Sequence, residues 1–201
     1  MEDSDAWLKY PQYRKWFDKL YLSDTLGYYC GPSGLPPDRS DYFIVRPVYN
    51  LSGMSAGARI QFIEAGDASI VEPGYFWCEI FSGPHISVTY DLNKNPISAW
   101  TAKYHEHKPL RISKWTRTSN YPKLPNIFSD ISVDTINAEF IGNNLIEIHF
   151  RGSPDPEYDE LIPIWSDMVY DTDRFRHHKF IEAVDDANGF LSVYRKGFYV
   201  K

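Results

Sequence analysis

The feature that most restricts the fold is a set of three short segments, rich in β-branched and aromatic residues, that tight turns separate. The segments read "YFWCEIF", "HISVTYDL" and "ISAWTAKY", and the turns read "SGP" and "NKNP". In the second segment apolar Ile86, Val88 and Tyr90 alternate with polar residues, which is the period-two pattern of a strand. Turns this short join antiparallel neighbours, because a parallel connection needs a much longer crossover. The sequence therefore predicts an antiparallel meander.

The rest of the chain predicts further short strands and few helices. Residues 12–26 have helical spacing between a proline and a glycine, and residues 175–186 form a second candidate helix. Residues 111–132 lack a clear period and are predicted to be a loop. Additional strands are predicted at 42–49, 58–65 and 136–150, with a closing hairpin at 189–200. These patterns predict one α+β domain over residues 1–201, with mainly antiparallel sheets and flanking helices.

Composition restricts the class of protein. The 201 residues are 43% hydrophobic and 24% charged, as in a globular domain, and no apolar run approaches the roughly 20 residues that span a bilayer. The N-terminal segment "MEDSDAWLKY" is acidic and has no apolar core of a signal peptide. Cys30 and Cys78 are far apart in sequence, which argues against a disulfide framework. We expect a cytoplasmic protein that does not interact with membranes.

Charge is unevenly distributed along the chain. Residues 103–123 contain six Lys or Arg and one acid, whereas residues 130–173 contain eleven acids and one base. Such a succession suits a site for a metal-bound polyphosphate, although it equally suits two solvated surfaces of opposite sign. The net charge of −6 argues against nucleic-acid binding, despite the basic and aromatic segment "KYHEHKPLRISKWTR".

The segment "INAEFIGNNLIEIHFRGSPD" predicts a hairpin with an unusual polar face. Its alternation places Ile136, Ala138 and Phe140 on the apolar face, with Ile146, Ile148 and Phe150 on the matching face of the return strand. A three-residue loop would place Ile141 opposite Leu145 and Glu139 opposite Glu147. Opposed carboxylates are unfavourable unless a cation lies between them, and Mg²⁺ prefers carboxylate and phosphate oxygens. His149 and Arg151 would follow on the same face. A two-residue turn would separate the glutamates, and a solvated face with a Glu–Arg pair is the alternative.

At this hairpin the chain resembles the ATP-grasp superfamily, whose metal-binding strand reads approximately "lEiNpR". By that resemblance Glu139 and Glu147 are the metal-binding acids, and His149 replaces an asparagine metal ligand. Arg151 matches the arginine that steadies the acylphosphate or the departing phosphate. The resemblance implies ATP and Mg²⁺ as cofactors, with Mn²⁺ as an alternative because of the histidine.

Three further segments resemble the family in the family's order, so that the matched region covers residues 42–155. "FIVRPVYNLSGMSAGARI" resembles the phosphate strand and its small-residue loop, with Arg46 in place of a lysine. "YFWCEIFSGPHISVTYDL" resembles the hinge that holds adenine and ribose, and "AWTAKY" resembles a segment whose lysine reaches the phosphates. The residues that the resemblance assigns to the nucleotide are Arg46, Ser52, Gly53, Ser55, Gly57, Glu79, His85 and Lys103.

The activity that this resemblance implies is ATP-dependent ligation of a carboxylate to an amine or similar nucleophile through an acylphosphate. Arg151 and Lys103 would be the catalytic residues. The acceptor site would come from residues 1–41 with the 111–132 loop, or from a partner or second copy of the chain. The alternatives are a nucleotide-binding module without turnover and a small interaction protein. The whole chain also resembles small tailed-phage proteins, which would place it in a host cytoplasm.

Overall fold

The chain forms an α+β fold built on two antiparallel sheets, as the sequence predicts. The computed structural model describes residues 1–51, 55–183 and 193–201. In these residues the smaller sheet has four strands in the order β1-β4-β2-β3. Its strands are β1 (Cys30–Pro32), β2 (Asp41–Pro47), β3 (Arg59–Ile63) and β4 (Tyr75–Glu79).

The larger sheet has eight described strands in the order β11-β12-β10-β7-β6-β5-β8-β9. Its strands are β5 (His85–Asp91), β6 (Pro96–His105), β7 (Lys108–Arg117), β8 (Thr135–Ile141), β9 (Asn144–His149), β10 (Glu160–Trp165), β11 (Lys179–Glu182) and β12 (Arg195–Val200). The predicted meander is confirmed only in part. β5 and β6 pair as expected, but β4 belongs to the smaller sheet.

The N-terminal region contains three short helices where the sequence predicts one. They are α1 (Asp3–Lys9), a 3-10 helix (Pro11–Phe17) and α2 (Lys19–Thr25). The break falls at Asp18, whose side chain accepts a hydrogen bond of 2.7 Å from the backbone N–H of Tyr21. An aspartate that caps the first turn of a helix has non-helical backbone angles, so the preceding helix cannot continue through it. Two further 3-10 helices lie at Asn126–Phe128 and Thr172–Phe175.

Two predictions from local pattern are wrong. The expected loop at 111–132 begins with most of β7, which pairs with both β6 and β10. Register shifts within the β6–β7 pair explain why no clean alternation is visible in the sequence. The candidate helix at 175–186 contains β11 instead, and residues 184–192 of that helix and of the predicted closing hairpin lie outside the described residues.

The main core lies between the N-terminal helices and one face of the larger sheet. Trp16 and Phe17 are buried. The ring centre of Trp16 lies 4.8 Å from that of Phe128, and the ring centre of Phe17 lies 5.3 Å from that of Phe150. Each fully buried aromatic ring contributes about 1.5–3 kcal/mol to folding. The opposite face of the larger sheet is thus left to line a cleft with the smaller sheet.

Two smaller observations complete the fold. Cys30 and Cys78, distant in sequence, lie directly opposite each other on β1 and β4 as free thiols. Within the described residues, every helix is too short to cross a bilayer.

Candidate functional site

The β8–β9 hairpin places Glu139 directly opposite Glu147, as the sequence predicts. The turn, however, differs from the predicted one. It has two residues, and Ile141 pairs with Asn144 rather than with Leu145. A register shift between Glu139 and Phe140 adds the missing residue, so the glutamates still share a face.

The same shift also determines which faces of the hairpin Leu145 and Ile146 occupy. Leu145 is buried in the core, whereas Ile146 lines the cleft, so the prediction that Ile146 faces the core is wrong. On the other face of the hairpin, the polar side chains that the sequence predicts there line a cavity and do not face bulk solvent. This set is Asn137, Glu139, Glu147, His149 and Arg151.

Both glutamates already have partners in the fold. The ammonium of Lys19 on α2 lies 2.7 Å from Oε1 of Glu147, and Nε2 of His85 lies 3.2 Å from Oε2 of Glu139. Burial opposes ionisation of Glu139, but the hydrogen bond and charge of His85 outweigh it and lower the pKa of Glu139 to about 2. Both carboxylates are therefore held as acceptors inside the cleft.

Asp3 at the start of α1 binds the other end of this polar face. Its Oδ2 lies 2.8 Å from Nδ1 of His149 and accepts a hydrogen bond of 3.0 Å from Nη2 of Arg151. Burial raises the pKa of Asp3, but the charges and hydrogen bonds of His149 and Arg151 outweigh it and lower that pKa. Burial lowers the pKa of His149, but the charge of Asp3 outweighs it and raises that pKa. The three residues form a buried ionic cluster.

The cleft between the sheets has a cavity of about 200 Å³. Arg46 of β2 projects into it, and the buried Nε of Arg46 has no hydrogen-bond acceptor among the residues that the structure describes. Burial lowers the pKa of Arg46, while the charges of Glu147 and Glu139 act in the opposite direction. A buried donor without an acceptor costs about 1–3 kcal/mol, so this cavity favours an anionic occupant.

A second cavity of about 120 Å³ adjoins the first and shares Ser55, His85, Glu139 and Glu147 with it. Three aromatic side chains, those of Trp100, Trp115 and Trp165, also line it. The polar pair of glutamates thus lies where the two cavities meet. Two ligands could approach each other there.

The other residues expected to contact a nucleotide are distributed as follows. Ser55 and Glu79 line the larger cavity, and Glu79 Oε1 accepts a hydrogen bond of 2.8 Å from the backbone N–H of Tyr29. Gly57 has φ +76°, and a Cβ there would lie 2.7 Å from the Tyr75 hydroxyl, so the loop requires glycine. Ser52 and Gly53 lie outside the described residues.

The expectation that Lys103 reaches the phosphates does not match its position. Ala102 pairs with His85, and Tyr104 lines the larger cavity with its hydroxyl 2.5 Å from Nδ1 of His85. Lys103 lies between them on the strand and is exposed, so its side chain points to the opposite face of the sheet. Its ammonium lines neither cavity.

Sequence reasoning missed Asp3, Lys19 and Tyr104. Asp3 reaches His149 across 146 positions of sequence, a contact that no local period can indicate. The available signal for Lys19 was indirect. Opposed glutamates need a nearby cation, and a lysine can meet that need as well as a metal ion can.

The donor set does not fit a divalent metal ion in this arrangement. Among the described residues there is no group of three or more His, Cys, Asp or Glu side chains placed to hold one. Glu147 is paired with Lys19, and Nδ1 of His149 is bonded to Asp3. A metal ion between Glu139 and Glu147 would have to displace the ammonium of Lys19.

Comparison with known proteins gives structural similarity only. No protein-family model and no curated protein matches the chain. A crystal structure of a candidate ATP-grasp superfamily protein from Archaeoglobus fulgidus is 11% identical, with a TM-score of 0.48, over 94% of this chain and 65% of that one.

Two structures of the ATP-grasp ligase PsnB are also similar. One is complexed with a phosphomimetic variant of minimal precursor, Mg and ADP, and is 13% identical with a TM-score of 0.40 over 71% of this chain and 52% of that one. The other is complexed with minimal precursor and is 12% identical with a TM-score of 0.37 over 70% of this chain and 53% of that one. The present chain thus spans less than two thirds of each protein. At these scores the similarity assigns no residue and no activity to it.

Proposed function

We propose that the cleft between the two sheets binds the phosphate chain of ATP. The observation that carries this proposal is Arg46, a half-buried residue that lines a cavity of about 200 Å³ and whose buried Nε lacks an acceptor among the described residues. Phosphate oxygens are strong acceptors for guanidinium groups, and they would satisfy this donor.

The surroundings of Arg46 support a phosphate ligand over a simple anion. Lys19 adds a second cation to the same cavity, and Ser55 and Ala56 present a small-residue loop to it. Small side chains allow backbone N–H groups to approach phosphate oxygens closely. The order of motifs along residues 42–155, which resembles the ATP-grasp pattern, supports a nucleotide over inorganic phosphate.

The proposed reaction is ATP-dependent joining of a carboxylate to an amine or similar nucleophile. A carboxylate oxygen attacks the γ-phosphorus, the bond to the β,γ-bridging oxygen breaks, and ADP leaves. The nucleophile then attacks the acylphosphate, loses a proton and releases inorganic phosphate. The second cavity supports a reaction with a second substrate, because it adjoins the first at Glu139 and Glu147 and would hold the acceptor. Arg151 lines that cavity, although Asp3 holds its guanidinium.

The test of nucleotide binding is calorimetric titration with ADP of the wild-type chain and of Arg46→Met. Removal of a charged donor to phosphate costs about 1.5–3 kcal/mol, so we expect affinity to fall about tenfold or more. Arg39→Gln is the matched control, since Arg39 is exposed and lines neither cavity. Equal affinity in wild type and Arg46→Met would contradict the proposal.

A second candidate is a nucleotide-binding module without turnover. The position of Lys103 on the opposite face of β6 favours it, because the lysine expected to reach the phosphates does not line the cavity. Measurement of ADP formation with pairs of carboxylates and amines separates the two functions. ADP formation that requires both substrates indicates a ligase, whereas nucleotide affinity without it indicates the module. If a second copy or a partner supplies the acceptor site, turnover would depend on protein concentration or on that partner.

A further inference from the structure

We propose that the ammonium of Lys19 takes the place of a divalent cation at the Glu139–Glu147 pair, so that the cleft binds nucleotide phosphates without a metal ion. The part that concerns nucleotides rests on the proposed function. The part that concerns the cation rests on the fold alone.

The first step is the position of the ammonium. Lys19 Nζ lies 2.7 Å from Glu147 Oε1, and the side chains of Lys19 and Glu147 are 7% and 16% exposed. Lys19 and both glutamates line the same cavity as Arg46. Opposed carboxylates on paired strands need a nearby positive charge, and this lysine supplies one.

The second step is that the backbone holds Lys19 in place. Lys19 is the first residue of α2, and Asp18 caps that helix. The backbone N–H of Lys19 donates a hydrogen bond of 2.9 Å to the carbonyl oxygen of Val48, which follows β2. The lysine is therefore anchored between α2 and the strand that carries Arg46, and it is not a mobile surface side chain.

The third step is the cost of replacing the ammonium. A metal ion that took its place would leave Lys19 buried beside Arg46 without its carboxylate partner, and an unpaired buried charge is strongly unfavourable. The two nearby histidines cannot replace Glu147 as the partner of the displaced ammonium. His85 is already bonded to Tyr104, and His149 is bonded to Asp3. The wild-type cleft should therefore exclude a divalent ion.

The first experiment uses Mn²⁺ alone, observed by electron paramagnetic resonance, so it needs no nucleotide. We expect wild type to leave Mn²⁺ free in solution and Lys19→Ser to bind it at least about tenfold more tightly. Addition of Glu147→Gln to Lys19→Ser should abolish this gain. Lys15→Gln is the matched control, since it removes an exposed positive charge from the preceding helix.

Mn²⁺ binding to wild type that Glu147→Gln abolishes would overturn the proposal. So would a Lys19→Ser variant that remains folded by circular dichroism but gains no affinity for Mn²⁺. Lys19→Arg provides a second check. Because it retains the positive charge, it should exclude Mn²⁺ as wild type does.

The second experiment titrates ADP in excess EDTA and again in excess Mg²⁺. We expect wild-type affinity to be the same in both, whereas Lys19→Ser should lose at least about tenfold in EDTA and recover with Mg²⁺. Wild-type binding that requires Mg²⁺ would overturn this inference and leave the proposed function intact. Absence of binding in both conditions would overturn the proposed function, and the Mn²⁺ measurement would still decide the role of Lys19.

Discussion

Asp3 shows how much a single side chain at the start of the chain contributes to the cleft. It is almost fully buried, and its carboxylate contacts both His149 and Arg151. Both partners were predicted to serve a metal ion or a phosphate. In this structure each is held by a carboxylate instead. That interaction fixes the orientation of the imidazole and the guanidinium at the edge of the sheet.

We expect Asp3→Asn to lower the free energy of unfolding by about 3–5 kcal/mol near pH 5.5, because it leaves buried positive charge without its partner. The measurement is urea denaturation of the variant and of the wild type. Asp159→Asn is the control, since it removes an exposed carboxylate that lies 3.7 Å from Arg117 at the surface. A loss of less than 1 kcal/mol, as for a typical surface pair, would show that the cluster adds little to stability.

Asp3 and His149 together make the stability of the fold depend on pH, with one limit on the acid side and one on the basic side. The lowered pKa of Asp3 adds stability above its unfolded value near 3.8, and this is lost as the pH falls through the folded value. The raised pKa of His149 adds stability below its unfolded value near 6.5, and this is lost as the pH rises through the folded value. The difference between wild type and Asp3→Asn should thus be largest from about pH 4 to 6.5 and shrink on either side.

At the scale of elements, the β8–β9 hairpin depends on both its turn and its bulge. A two-residue turn with regular pairing would have turned Glu147 toward the core and Ile146 toward Glu139. The register shift restores the opposition of the two glutamates. The turn itself packs against the "SGP" turn before β5, where the backbone N–H of Gly142 donates a hydrogen bond of 2.8 Å to the carbonyl oxygen of Pro84.

Alanine at Gly142 should destabilise the fold more than alanine at Gly66. Both glycines have positive φ, +60° and +80°, a conformation that costs an alanine about 1–2 kcal/mol. At Gly142 the added Cβ would also lie 2.8 Å from the carbonyl oxygen of Ser82, whereas nothing lies within 4 Å at Gly66. Chemical denaturation of both variants gives the comparison. Equal losses would mean that the contact between the β8–β9 turn and the "SGP" turn adds nothing to the free energy of unfolding.

At the scale of the whole molecule, the cleft is assembled from three parts of the chain. The smaller sheet supplies Arg46, the larger sheet supplies the glutamate pair, and the N-terminal helices supply Lys19. A ligand that contacts the first two parts would link them. Its binding should therefore stabilise the folded state as a whole.

We expect ATP to raise the thermal unfolding temperature of the wild-type chain. At a free concentration about 100 times Kd, mass action adds about 2.7 kcal/mol, which for a domain of this size corresponds to about 5–10 °C. Scanning calorimetry with and without ATP measures the shift. Arg46→Met should show a much smaller shift at the same concentration. An unchanged unfolding temperature in wild type would contradict nucleotide binding in the cleft.

The sequence by itself determined the α+β class, most of the strands from β2 to β9 and the polar face of the hairpin. These follow from period-two alternation and from turn residues, which act over a few neighbouring positions. Alternation marks Glu139, Glu147, His149 and Arg151 as one polar face, whereas Arg46, His85 and Lys103 were assigned by motif resemblance, which does not reveal which face of a strand a side chain occupies. Only the tertiary structure decided which cation accompanies the glutamates. Packing of the N-terminal helices brings Lys19 into the cleft and Asp3 to His149 and Arg151, and contacts across such long stretches of chain leave no local pattern to recognise.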